Sequence, residues 1–364
     1  MRIAFYGSSL TSSYWNGAAT YYRGIIRALA GLGYDTTFYE PDAYDRQKNR
    51  DIDPPPWCRI VVYPATREGV EQVTAQARHA EIVVKASGVG VFDDELLAAA
   101  MAAARRDALR IFWDVDAPAT LAELTAHPEL PLRSVLKELD AVLTYGGGPG
   151  VVASYEELGA RLARPIYNAL DPDTHHPVKP DPRYRANLAF LGNRLPDREA
   201  RVEEFFIKPA GDAPQFSFIL GGAGWESKPL PANVRLVGHV PTRDHNAFNA
   251  SADAVLNINR ASMAARGYSP ATRIFEAAGA GSCIVTDAFE GIESFLEPGE
   301  EVLVARDGRE VSGWLKALTP TTARAIGERA RARVLREHTY ERRAAETDEL
   351  FRGLIAGKRS EAAA

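Results

Sequence analysis

Cysteine is scarce in this chain, and long hydrophobic runs are missing. Cys58 and Cys283 are the only cysteines in 364 residues, too few for a disulfide framework and too far apart for a metal-binding spacing. Each lies at the edge of an apolar, strand-like run, where a small buried thiol is expected. No apolar run approaches the roughly 20 residues that span a bilayer. Met1 to Gly7 reads as a short strand without the long apolar core of a secretory signal, so a cytoplasmic location is expected. An excess of one charge is lacking too: 43 Lys and Arg stand against 48 Asp and Glu, a net charge of −5, with no basic footprint for nucleic acid. Low-complexity tracts and short repeats are absent. Gly7-Ser8-Ser9 lacks the GxGxxG spacing and later acid of a dinucleotide site. Gly146 to Gly150 is followed by no Lys-Ser or Lys-Thr, which excludes a triphosphate-binding loop.

What is present is an ordinary globular composition, 46% hydrophobic and 25% charged, in a length that favours two domains. The first half alternates short apolar runs (Ile3 to Tyr6, Thr36 to Tyr39, Arg59 to Tyr63, Glu81 to Lys85, Leu109 to Trp113, Ala141 to Tyr145) with helical stretches at Ala18 to Leu32, Val70 to His79 and Asp94 to Arg106. The second half repeats the scheme, with strands at Leu188 to Leu191, Phe216 to Leu220, Val234 to Gly238, Ala254 to Ile258, Cys283 to Thr286 and Val302 to Ala305. Its helices are expected near Asp197 to Phe206, Asp244 to Ala250 and Pro270 to Ala280. Continuous apolar strands separated by helices require a parallel sheet covered on both faces, so the fold class is α/β with two doubly wound, Rossmann-like domains. Four prolines among turn-forming residues in Asn168 to Pro182 mark a linker. The expected boundaries are 1–170, a linker at 171–182, a second domain at 183–339, and a closing helix at 340–364 with a disordered tail from Lys358. Ligands in such sheets bind at the carboxyl ends of the strands, which two facing domains would bring to one cleft.

One segment, Arg266 to Gly281, carries the most chemistry. Ser269 suits the N-cap of a helix and Pro270 its first turn. The amides of Ala271, Thr272 and Arg273 would then point out of the positive helix end, a seat for a phosphate. Arg273 and Glu276 stand three apart and share a helix face. A cation at the phosphate with a carboxylate one turn deeper suits a nucleoside diphosphate whose ribose hydroxyls need an acceptor.

Further candidates lie at other predicted strand ends. Asp114-Val115-Asp116 follows a strand, and alternate residues of an extended segment face one side. The pair can serve an acceptor, with Asp116 as general base, cap the helix before Pro118, or hold a divalent cation. Lys85 and Ser87 end another strand and offer acceptor or phosphate contacts, while Asn16 and Gly17 open the first helix. His175 and His176 are adjacent in the linker, so their side chains diverge and no metal site is expected there. Gly221 to Trp225 closes a strand, where Gly222 can let the backbone approach a nucleotide and Trp225 can simply pack.

Four stretches together resemble the GT-B glycosyltransferases, within them the CgeB-like proteins and the family 1 and family 4 relatives. They are Ser12 to Gly24, Asn168 to Pro177, Leu188 to Arg194, and Arg266 to Asp287; His338 to Arg343 is similar to the family's closing segment. The resemblance implies that a nucleoside-diphosphate sugar, UDP-linked by family habit, is held by the carboxyl-terminal domain as co-substrate. The acceptor would sit on the amino-terminal domain, and no cofactor or metal would be tightly bound. Glu276 would hold the ribose, and the Ser269 to Arg273 amides the diphosphate, with Arg194 or Arg198. Gly238-His239-Val240 would run along the base. Such an enzyme would be a hexosyltransferase, retaining rather than inverting, with Arg273 stabilising the leaving diphosphate. Many family 4 retaining enzymes carry an acid eight positions before the ribose-binding glutamate; here that position is Tyr268. A lysine soon after Arg194 is missing as well. A 2-epimerase of the same architecture and a GT-B protein that binds a sugar nucleotide or glycan without turnover remain as alternatives. The acceptor and the oligomeric state are not readable.

Overall fold

A computed structural model describes residues 1–14 and 16–363, in two compact units. One comprises Met1–Tyr167 with the chain from Tyr340 onward, the other Asn168–Thr339. Trp15, in the Ser12 to Gly24 stretch, lies outside the described residues.

The first unit is built on seven strands: β1 (Arg2–Tyr6), β2 (Asp35–Asp42), β3 (Arg59–Pro64), β4 (Ile82–Ala86), β5 (Leu109–Asp114), β6 (Ala141–Thr144) and β7 (Ala163–Pro165). They pair in parallel in the order β3-β2-β1-β4-β5-β6-β7. Strands β4 and β6 are buried along their whole length, as continuous apolar runs in a covered parallel sheet must be. The three-residue β7 has no apolar run to announce it.

Helix Ala19–Gly31 buries Tyr21, Tyr22, Ile25, Ile26 and Leu29 on one side. Gly24 on this helix leaves room for the Tyr340 ring, since a Cβ there would fall 2.2 Å from it. The closing helix, Tyr340–Ala363, thereby packs on the first unit. Its tail differs from the expected disorder: it is helical as far as Ala363, and Lys358 Nζ reaches Asp140 Oδ2 and the Ala108 carbonyl, both at 2.7 Å.

The second unit contains β8 (Ala186–Leu191), β9 (Phe218–Gly221), β10 (Val234–Gly238), β11 (Ala252–Asn257), β12 (Ile284–Asp287) and β13 (Leu303–Ala305), all parallel, in the order β10-β9-β8-β11-β12-β13. Phe190, Phe206, Phe218, Trp225, Leu256 and Val285 anchor one side of its core. The helix expected over Asp197 to Phe206 runs only from Pro196 to Val202 before widening into a π turn at Glu203–Ile207.

The segment read as a linker belongs to this unit. Leu170 donates its N–H to the His338 carbonyl at 2.8 Å, and His175 is buried. Gly279 makes room for both, because a Cβ there would fall 2.4 Å from the Leu170 side chain. Among the described residues no helix is long and apolar enough to cross a membrane.

Candidate functional site

Parallel pairing brings the carboxyl ends of β8 to β12 to one edge of the second sheet, and the residues after them form a polar cluster. Gly222, after β9, has φ +118° and donates its N–H to the Gly238 carbonyl at 2.7 Å. A Cβ on Gly222 would lie 2.2 Å from the Gly192 carbonyl, so only glycine allows these strand ends to meet. Trp225 is buried in the core, and its indole N–H donates to that carbonyl at 2.7 Å, so it packs. Val240 is buried and His239 is exposed beside it.

The helix in the Arg266 to Gly281 segment starts later than its sequence suggests, at Thr272, with Ala271 as N-cap. Ser269 does not cap it; its hydroxyl donates to the Gly267 carbonyl at 2.9 Å. The cause is the backbone before it, where Gly267 (φ +68°) and Tyr268 (φ +44°) are both left-handed. The first turn leaves the N–H groups of Ala271, Thr272 and Arg273 without an intrahelical partner. Tyr268 donates its N–H to the Glu290 carbonyl at 2.6 Å, and its ring occupies the space above Gly291. A bulky residue at positive φ is held there only by such surroundings.

One turn into the helix, Glu276 is buried and divided between two partners. Its Oε2 faces Arg273 Nη1 at 3.2 Å, and its Oε1 faces His175 Nε2 at 3.8 Å. His245, from helix His245–Ser251, completes the group. Burial works against the Glu276 charge, but the Arg273 guanidinium prevails and holds its pKa below the usual range. Burial lowers the His175 pKa and brings that of His245 to about 4. His175 Nε2 and His245 Nδ1 have no hydrogen-bond partner. The cluster therefore holds an ionised carboxylate and two neutral imidazoles.

The cations beside it are under-compensated. Arg198 donates to the Asn193 carbonyl at 2.6 Å, but its Nε, like that of Arg273, has no acceptor. Burial, then Arg273, then Arg260 pull the Arg198 pKa down to about 10. The two neighbouring guanidiniums thus carry positive charge that their surroundings do not fully compensate. Arg194 does not share in it, since Glu199 accepts from it at 2.7 and 3.0 Å. Of the two arginines, Arg198 is the one with capacity to spare.

The first unit presents its own strand ends. Asp114 is fully buried and accepts from Ser87 Oγ (2.7 Å), the Asp116 N–H (2.9 Å), Thr120 Oγ1 (3.0 Å) and the Tyr155 hydroxyl. Its carboxylate is thus occupied as a staple between β5 and its neighbours, a correction to its place among catalytic or cation-binding residues. Asp116 stands half-buried at the N-cap position of helix Ala117–Ala126. Ser87 is bound to Asp114, and Lys85 is buried against Asp93. Asn16 accepts from Ser8 Oγ and donates to the Ser9 and Ser12 carbonyls. Gly17 borders open space.

Sequence reasoning missed His245 and Arg46, and it placed His175 in a linker. Arg46 is 6% exposed, held by the Ser8 and Val89 carbonyls at 3.3 Å, with Nε unpartnered. Its position in an irregular stretch gives no local signal of burial.

Comparison with solved structures places this architecture. Sucrose-phosphate synthase from Thermosynechococcus elongatus aligns with a TM-score of 0.72 at 14% identity, covering 98% of this chain and 100% of that one. Anabaena HepE, solved in complex with UDP and glucose, aligns at 0.68 and 13%, covering 97% and 100%. T4 phage BGT, in complex with its UDP-glucose substrate, aligns at 0.60 and 11%, covering 98% and 99%. No curated protein matches the sequence. A family described as glycosyl transferase-like matches residues 198–349. The chain therefore has the GT-B fold, with a glycosyl transferase-like region spanning residues 198–349.

Proposed function

We propose that the chain is a glycosyltransferase that takes a sugar from a nucleoside-diphosphate sugar, UDP-linked, and passes it to a hydroxyl acceptor. The observation that carries this reading is the pairing of buried Glu276 with Arg273 in the first turns of the helix that starts at Thr272, together with the incompletely bonded Arg198 that interacts with Arg273. Glu276 accepts from the ribose hydroxyls. The Thr272 and Arg273 amides, with the two guanidiniums, hold the diphosphate, and Gly238 to Val240 line the base. Charge builds on the diphosphate as the glycosidic bond breaks, and fixed donors aimed at it supply electrostatic stabilisation without reorganisation. This chemistry needs no metal. Two similar structures, HepE and T4 phage BGT, hold UDP with glucose and UDP-glucose respectively, which supports a uridine nucleotide.

The first unit is proposed to bind the acceptor, with Asp116 as general base and Lys85, Ser87, Asn16 and Gly17 shaping the surface. The second unit, Asn168–Thr339, is proposed to bind the donor.

Thermal unfolding with UDP, pyrophosphate and uridine tests the donor seat. A ligand at 100 times its Kd adds about 2.7 kcal/mol of stability. UDP should stabilise the protein strongly and pyrophosphate more weakly. Glu276→Gln should remove the advantage of UDP over pyrophosphate. Equal shifts for UDP in the variant and the native chain would falsify the ribose assignment.

A further inference from the structure

Two buried imidazole nitrogens without partners and one carboxylate oxygen converge in the second unit. His175, His245 and Glu276 each offer one ligand atom, and these atoms all lie within 4.8 Å of one another. We propose that they form a binding site for a zinc-class transition-metal ion, and that the ion closes the donor seat by occupying Glu276.

The donor set fits. Two histidines and a glutamate around an open fourth position are a common zinc arrangement, and imidazole selects such ions over magnesium or calcium. Zinc bonds of about 2.0–2.2 Å would need the ligand atoms ~3.3 Å apart. The pair His175 Nε2 and Glu276 Oε1 stands at 3.8 Å, so closing the site takes small side-chain rotations.

The surroundings are also those of a metal ligand. His245 Nε2 lies 3.3 Å from the Val240 carbonyl, the outer partner that directs the other ring nitrogen inward. That other nitrogen, Nδ1, is buried and unbonded. Arg273 would seem to repel a cation, but it faces Oε2 and leaves Oε1 toward His175. One carboxylate can therefore bridge an arginine and a metal.

The sequence separates the three ligands widely, and adjacent His176, exposed and with only its backbone N–H bonded to Asn246 Oδ1 at 3.3 Å, takes no part. The inhibitory half of the proposal rests on the ribose assignment made above. A metal at Glu276 and a nucleotide at Glu276 exclude one another.

The test is titration of the chelator-treated full chain with Zn2+, with Mg2+ as the contrasting ion. One Zn2+ per chain should bind, with Mg2+ failing to displace it. His175→Ala and His245→Ala should each weaken binding at least ~10-fold, as loss of a ligand or its support does, whereas His176→Ala should leave it unchanged. Thermal unfolding without metal checks that each variant folds, and His175→Gln replaces the alanine variant if burial makes that one unstable. No binding by the native chain, or native-like affinity in both ligand variants, would overturn the site. UDP binding is measured with and without Zn2+: competition supports both halves. Zn2+ binding that leaves UDP affinity untouched would keep the metal site and overturn the inhibitory half, while failure of the ribose assignment itself shows separately, in Glu276→Gln without metal.

Discussion

The two sheets end in polar clusters of opposite character. In the first unit, Asp114 is encircled by four donors, Asn16 is bonded on both ends of its amide, and Lys85 faces Asp93. In the second, Arg198 Nε, Arg273 Nε, His175 Nε2, His245 Nδ1 and both side-chain atoms of Asn259 are buried without partners. Burying a polar group unpaired costs about 1–3 kcal/mol. Such groups persist where something else completes them, whereas a satisfied network holds the backbone in place. The saturated cluster is read as scaffold, and the unsaturated one as a seat for a ligand. The first unit has departures of its own: Arg46 Nε and the hydroxyls of Thr36, Tyr63 and Thr144 are buried without partners.

The largest expected effect tests the scaffold. Asp114→Ala leaves Ser87, Thr120 and Tyr155 without their acceptor, and the unfolding transition of the first unit in urea should lose ~3–5 kcal/mol. UDP affinity of the folded variant should stay within about twofold, and loss of UDP binding in a folded protein would erase the distinction between the clusters. Next comes the ligand seat. Arg198→Ala should weaken UDP about 10- to 100-fold by calorimetry, the equivalent of a charged hydrogen bond worth ~1.5–3 kcal/mol.

The pH response is smaller and has a definite sign. His175 and His245 have lowered pKa values in the folded chain, so between the ordinary histidine value near 6.5 and about 4 the unfolded state binds more protons. Stability should therefore fall as pH drops through this window. His245→Gln should flatten that part of the stability–pH curve, and an unchanged slope would mean that His245 does not titrate as placed. The smallest effect belongs to Arg194→Ala, whose partly exposed pair with Glu199 should contribute under about 1 kcal/mol to stability and little to UDP affinity.

The comparison also separates what was legible in the sequence from what was not. Both sheets could be read because strands such as Ile82–Ala86 and Ala141–Thr144 are buried throughout and leave continuous apolar runs. Glu276 and Arg273 could be read because helix spacing alone puts them together. The start of their helix could not, since positive φ at Tyr268 overrides the local signal of Ser269 and Pro270. Asp114-Val115-Asp116 suggested a shared site, but besides the local Asp116 N–H and Thr120 the partners that occupy Asp114 are Ser87, just after β4, and Tyr155, neither of them close in sequence. His175 and His245 meet only through tertiary folding, so no local pattern announces them.

Gly24 and Tyr340 set an order of events. The first helix leaves a space that the Tyr340 ring fills, so a chain emerging from the ribosome holds Tyr21 and Tyr22 long before that neighbour exists. The second unit, formed from one uninterrupted stretch, can complete its sheet first. A chain cut after Thr339 should keep a foldable second unit while its amino-terminal half, deprived of the helix that covers it, stays sticky.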